Sequence, residues 1–183
     1  MGFGLPAAIG AQFANPDKRV ICISGDGSFQ MMTQELMTAT VYAQPVVTLI
    51  INNRSLGMVR QWQEMFYSER YSQVDIQASP DFVKLTEAYG GVGFRVDSPQ
   101  GLREALEAAK KVTDKPVVID CQIPTEENVY PMIPSGQSIE QMMIRQNIEE
   151  LKADVHKDGS EWSFADTETL LEKYVEVTSG RAN

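Results

Sequence analysis

Val20-Ile21-Cys22-Ile23-Ser24-Gly25-Asp26-Gly27 is a short apolar run closed by an aspartate between two glycines. A continuous apolar run of this length, bounded by a turn signal, reads as a strand buried on both faces, as parallel sheets require. Beyond it, Phe29, Met32, Leu36, Ala39 and Ala43 recur at spacings of three and four. That is the period of an amphipathic helix, predicted over 28–43 with Ser28 as its cap. Gln44-Pro45 stops this helix, and 46–51 form a second buried strand that runs into Asn52-Asn53. Strand, helix and strand make a βαβ unit, and such units build parallel sheets by right-handed crossover.

The same alternation extends outward. Upstream, residues 5–14 have helical composition, with Pro6 suited to a first turn. Downstream, helices are predicted over 56–66, 81–89 and 99–112, the last opened by Ser98, and strands over 94–96 and 116–123. The expected fold class is therefore α/β: a doubly wound, mostly parallel sheet with helices on both faces. Residues 1–143 carry this pattern as one expected domain. The remaining residues, 144–183, form an acidic tail with five basic and nine acidic side chains. Helices are expected there around Ile148 and Leu151 and around Leu170 to Val175, interrupted at Gly159-Ser160.

Composition excludes several classes of function. Hydrophobic residues make up 43% of the chain and charged residues 22%, which suits a packed core. A net charge of −9 without any Lys/Arg-rich run argues against nucleic acid as a partner. The longest apolar stretch, 46–51, is too short to span a bilayer, and no secretory signal opens the chain. Cys22 and Cys121 lie in strand-like runs and read as buried thiols in a reducing cytosol. His156 is the only histidine, which removes Ser-His-Asp and Cys-His catalysis and multi-histidine metal sites.

The site signal is Gly25-Asp26-Gly27, then 24 residues, then Asn52-Asn53. Asp26 follows one strand and Asn53 the next, so parallel pairing brings both to the carboxyl edge of the sheet, where open α/β folds bind ligands. A carboxylate and an amide oxygen are hard donors suited to Mg²⁺. The glycines permit close backbone approach, and a helix N-terminus offers free N–H groups to an anion. No Lys or Arg occurs from Gly25 to Asn53, so a diphosphate beside Asp26 needs an added cation. An EF-hand is excluded by Phe29 and Leu36 at positions that should be polar, and a P-loop by the lack of Gly-Lys-Ser/Thr. Taken singly, Gly-Asp-Gly is a common turn and Asn-Asn a common strand end.

Jointly, this spacing resembles the signature of thiamine-diphosphate enzymes. The neighbouring stretches narrow the likeness: Met1-Gly2-Phe3-Gly4-Leu5-Pro6-Ala7-Ala8-Ile9-Gly10-Ala11, Leu56-Gly57-Met58-Val59-Arg60-Gln61-Trp62-Gln63, Phe66-Tyr67, Arg70-Tyr71-Ser72 and Pro131-Met132-Ile133-Pro134-Ser135-Gly136. They look like the acetohydroxyacid (acetolactate) synthase catalytic subunit over residues 1–143. The resemblance implies that Asp26, the Asn53 side chain and the Ser55 carbonyl hold Mg²⁺. It implies that Gly25, Gly27, Ser28, Gly57 and Met58 line the diphosphate and that Met1 lies near the cofactor rings. Met58, Val59 and Trp62 would face the reacting centre, with Trp62 shaping the acceptor pocket and meeting herbicide inhibitors. From periodicity alone, Met58, Trp62 and Met65 share one helical face and read as a core stripe.

The implied reaction joins two pyruvates into 2-acetolactate and CO₂, or pyruvate to a second 2-oxo acid, within branched-chain amino acid biosynthesis. The implied setting is cytoplasmic, with a homodimer or higher oligomer and room for a regulatory small subunit. The family's FAD and the glutamate that engages the aminopyrimidine belong to other domains, so the chain is expected to be part of a larger enzyme and inactive alone. No catalytic residue is expected in the chain itself. Two rivals stand beside this reading: another thiamine-diphosphate lyase, oxidase or decarboxylase, and a non-catalytic cofactor-binding or dimerisation module.

Overall fold

The computed structural model describes residues 1–144. Along the chain they form α1 (Gly4–Ala14), β1 (Ile21–Gly25), α2 (Asp26–Gln30), α3 (Glu35–Val41), β2 (Val47–Asn52), α4 (Gly57–Phe66), α5 (Phe82–Ala88), β3 (Val92–Val96), α6 (Pro99–Ala109) and β4 (Val117–Gln122). A single 3₁₀ turn, Ile139–Gln141, follows. The tail helices expected beyond residue 144 lie outside the described residues. Two compact units divide the described residues: Met1–Leu56 with Asp75–Glu127, and Gly57–Val74 with 128–144.

The first unit is a four-stranded parallel sheet in the order β1-β2-β4-β3. From β1 to β2 and on to β3 the chain moves in one direction, leaving a gap that β4 fills on its return. Right-handed crossovers then require the returning helix, α6, on the opposite face from α2, α3 and α5. The packing agrees. Leu5, Phe29, Leu36, Ile50, Phe82 and Val118 form the core on one face. Val47, Ala105, Ala109, Val117, Ile119 and Cys121 form it on the other. The doubly wound α/β expectation therefore holds, with helices on both faces.

Polar side chains close the loops between these elements. Gln12, buried at the end of α1, donates to the carbonyls of Asn15 and Lys18 and accepts the Val20 N–H, so three bonds of the bend into β1 run through one amide. Arg19 donates to the carbonyls of Pro45, Val112 and Lys110, tying together three chain segments at the strands' amino ends. At Gly93 on β3, an added Cβ would stand 2.8 Å from the Val83 Cα, so α5 lies directly on the strand backbone.

The helix expected over 28–43 is divided. The N–H groups of Met31, Met32, Glu35, Leu36 and Met37 bond three residues back, as in a 3₁₀ winding, where α2 gives way to α3. Ser28 lies inside α2 and does not cap it; the helix starts at Asp26, after Gly25. Ala43 ends α3 in the left-handed conformation, φ 51°, with the Gln44 N–H returning to the Ala39 carbonyl at 2.8 Å.

In the second unit, α4 carries two glutamines that act as backbone partners. Gln61, fully buried, accepts the Val129 N–H at 2.8 Å and donates to the Val129 carbonyl at 2.9 Å. Gln63 does the same with Ser72, at 3.0 and 3.1 Å. Arg60 pairs with Glu64 at 2.8 Å and stacks over Tyr71. Met65, Phe66, Tyr130, Met132 and Met143 make a small core beneath α4. Among the described residues, no helix is long and apolar enough to cross a membrane.

Candidate functional site

Gly25 is the last residue of β1 and stands opposite Ile51 on β2. Asp26 and Asn52-Asn53 therefore emerge side by side at the carboxyl edge of the sheet. Asp26 is 2% exposed. Its Oδ1 accepts the Gly27 N–H at 2.9 Å, while its Oδ2 is buried with no hydrogen-bond partner. Burial pushes the Asp26 carboxyl above the usual carboxylate range, against the N–H groups of Gly27, Arg54 and Asp26 itself; the charge of Asp120 adds to the rise. A buried carboxylate oxygen without a partner is costly unless a cation completes it.

The turn after β2 faces this carboxylate through the Arg54 N–H. Asn53 Oδ1 accepts the Ser55 N–H at 3.1 Å, and the Asn53 carbonyl accepts the Thr125 hydroxyl at 2.9 Å. Arg54, between them, is left-handed with φ 57°. Ser55 is buried and bridges to Asp75 in antiparallel register. A carboxylate, an amide oxygen and a turn carbonyl are all hard oxygen donors, the kind Mg²⁺ takes. Among the described residues no group of three His, Cys, Asp or Glu side chains could hold a metal, so a thiolate or imidazole centre is not built here.

The two motif glycines serve different ends. Nothing lies within 4 Å of the position a Gly25 Cβ would take, which leaves the backbone open to a ligand. At Gly27 a Cβ would meet the end of the Leu56 side chain at 2.8 Å, with Ile76 and Met1 next, so a larger residue here would have to displace Leu56. Ser28 Oγ accepts the Gly2 N–H at 2.9 Å. This bond, with Gly2 at φ 77° against Met31 and Met32, fastens the chain's first residues to the start of α2 and brings Met1 beside Gly27.

The other expected site residues belong to the second unit. Gly57 opens α4. Met58, Val59 and Trp62 line a cavity of about 700 Å³ with Phe66, Tyr67 and Arg70. The Trp62 ring meets Phe66 edge-on at 5.4 Å. The expected Met58–Trp62–Met65 stripe divides: Met65 is buried in the unit's core, whereas Met58 and Trp62 stay exposed on the cavity side.

Asn52, Asp120 and Arg95 were not among the expected site residues. Asp120, 1% exposed, accepts Asn52 Nδ2 and Gln122 Nε2 at 2.8 Å each and Arg95 Nε at 3.2 Å. The available signal was a lone carboxylate in the apolar run Val117-Val118-Ile119-Asp120-Cys121, because a charge inside a buried strand must be paired.

The family model "Thiamine pyrophosphate enzyme, C-terminal TPP binding domain" matches residues 1–121. The chain belongs to the thiamine pyrophosphate enzymes, and the part of them it carries is the C-terminal TPP-binding domain. Within that class it is 53% identical over 144 residues to the acetolactate synthase large subunit of Pyropia yezoensis, covering 78% of this chain and 24% of that protein. It is 48% identical over 146 residues to the isozyme 3 large subunit of Escherichia coli K12, covering 79% and 25%. A solved thiamine diphosphate-dependent 4-hydroxybenzoylformate decarboxylase from Rhodococcus jostii RHA1 superposes with a TM-score of 0.64 at 36% identity, covering 70% of this chain and 24% of that one. The chain thus spans about a quarter of the length of the curated relatives it matches.

Proposed function

We propose that this chain is the cofactor-holding part of an acetolactate synthase large subunit, in which it binds Mg²⁺-thiamine diphosphate for decarboxylation of pyruvate and its ligation to a second 2-oxo acid. The observation that carries the proposal is the buried, unpartnered Asp26 Oδ2 beside the Asn53–Ser55 turn. Asp26, Asn53 Oδ1 and the Ser55 carbonyl would hold Mg²⁺. Gly25 and the start of α2 would take the diphosphate, with Gly27, Ser28, Gly57 and Met58 around it and Met1 toward the rings. Thiamine diphosphate, when bound, supplies the electron sink for decarboxylation. The protein's part is to fix the cofactor by its metal and to exclude water around the acceptor, with Met58, Val59 and Trp62 as the apolar wall.

Residues 1–143 would form this domain and 144–183 an acidic appendage. FAD and the group that engages the aminopyrimidine would come from the rest of the enzyme, which would act as a homodimer or larger oligomer with or without a regulatory subunit. A cytoplasmic setting is supported by Cys22 and Cys121, both free and buried, with burial the main cause pushing each thiol up and away from reactivity. The likeness to a decarboxylase favours a second reading, another lyase of the same class. Higher identity to acetolactate synthases, 43–53%, over 78% or more of the chain favours the first. The test is a titration of thiamine diphosphate into the chain with Mg²⁺ and with a chelator. Saturable binding only with Mg²⁺ is expected; binding that ignores the chelator would overturn the metal-bridged site.

A further inference from the structure

Asp120 is the one charged residue of the buried strand β4. It occupies β4 on the face that holds Ile50 and Val118, both buried, and its register partners are Ile50 on β2 and Arg95 on β3. Burying a carboxylate there is unfavourable unless its lone pairs are met by well-placed donors. Arg95 meets one oxygen, but its side chain is half exposed and reaches on to Asp81 at 2.8 Å. The other oxygen takes two amides, from Asn52 and Gln122, at 2.8 Å each.

A carboxylate only accepts, so it dictates which end of each amide faces it. Asn52 turns its Nδ2 to Asp120 and thereby its Oδ1 to the Arg54 N–H, at 3.2 Å. Gln122 turns its Nε2 to Asp120 and its Oε1 to the Arg54 guanidinium, at 2.7 Å. Two relays from one carboxylate therefore end on the backbone and the side chain of a single residue. That residue is the left-handed one, φ 57°, between Asn53 and Ser55, and its N–H also faces Asp26. A non-glycine residue holds that conformation only where its surroundings enforce it.

We propose that Asp120 is a positioning residue that, through the Asn52 and Gln122 amides, locks Arg54 in its left-handed conformation and so presents the Asn53 and Ser55 oxygens to the metal of the bound diphosphate. This rests on the proposed Mg²⁺-thiamine diphosphate site. Its own consequence is specific: the near-isosteric Asp120→Leu, which offers no acceptor to either amide, should loosen the turn while leaving the sheet intact.

The experiment follows residue-resolved amide exchange and Mg²⁺-thiamine diphosphate calorimetry on the full chain, wild type beside Asp120→Leu. Expected are a loss of Arg54 N–H protection by tenfold or more, unchanged protection at Ile23 and Leu49, and a dissociation constant about 10–100-fold higher, the usual effect of losing an outer-shell partner. Should Asp120→Leu not fold, Asn52→Ala carries the same expectation, since it leaves Asp120 paired with Arg95 and Gln122. A lowered Tm with an unchanged dissociation constant marks a merely structural Asp120 and overturns the proposal, as does unchanged Arg54 protection. A wild-type chain that binds no cofactor overturns the underlying site, a result visible before any variant is compared.

Discussion

The Gly2 N–H donates to Ser28 Oγ at 2.9 Å, joining residues 26 positions apart at the point where β1 turns into α2. Ser28, expected from the sequence as a helix cap, instead anchors the chain's first residues over Gly27. Ser28→Ala should cost about 1 kcal/mol, the net worth of one such bond. Denaturant unfolding reads the loss, and Gly2 amide exchange should rise with it. Unchanged Gly2 exchange would contradict the anchoring role.

Backbone sterics make a reciprocal pair. Gly93→Ala places a Cβ 2.8 Å from the Val83 Cα and 3.0 Å from its carbonyl oxygen, atoms that move only with α5 itself. The expected cost is about 1–3 kcal/mol, as for overpacking elsewhere. Ala43→Gly relieves a left-handed alanine at the end of α3 and should stabilise by about 1 kcal/mol. Thermal melts of both variants test the two signs together.

Asp26 sets a pH dependence. Its carboxyl lies above the usual range, chiefly through burial, while the unfolded chain should titrate near the ordinary aspartate value of about 4. Between those two values the unfolded chain has released the proton and the folded chain keeps it. Stability without metal therefore falls as pH rises through the folded value. The difference in unfolding free energy between wild type and Asp26→Asn isolates this from the other carboxylates. It should decline with rising pH in the absence of Mg²⁺, and a difference flat across that window would contradict the buried carboxylate.

Trp62 lines the cavity of the second unit with Met58 and Val59, its ring braced edge-on by Phe66. In the complete enzyme, Trp62→Leu should lower preference for the larger 2-oxo acid by roughly tenfold or more, since a hydrophobic contact of about 1–3 kcal/mol is lost. A competition assay with mixed acceptors reads this as a product ratio; the same ratio in both enzymes would assign acceptor choice elsewhere.

The strands were legible because parallel sheets bury both faces, so 20–24, 46–51 and 116–123 appear as mostly apolar runs, interrupted at Thr48, Asp120 and Gln122. β3 was read short, from Phe94, because Gly93 contributes no side chain and its reason for being there, Val83 on α5, is far along the chain. The division of α2 from α3 was hidden, since a 3₁₀ winding keeps apolar residues at spacings of three and four. Asp26 and Asn53 could be joined from strand endings alone. The Asp120–Asn52 bond could not, because it depends on β4 sitting between β2 and β3, an order that local pattern does not encode.

The most direct measurement is calorimetry of Mg²⁺-thiamine diphosphate on the wild-type chain and on Asp26→Ala. If Asp26 Oδ2 is left unpartnered to receive the metal, the alanine variant should lose affinity by at least 10–100-fold in excess Mg²⁺, a range that the loss of an outer-shell partner alone can reach. Equal affinity in the two proteins would contradict the site.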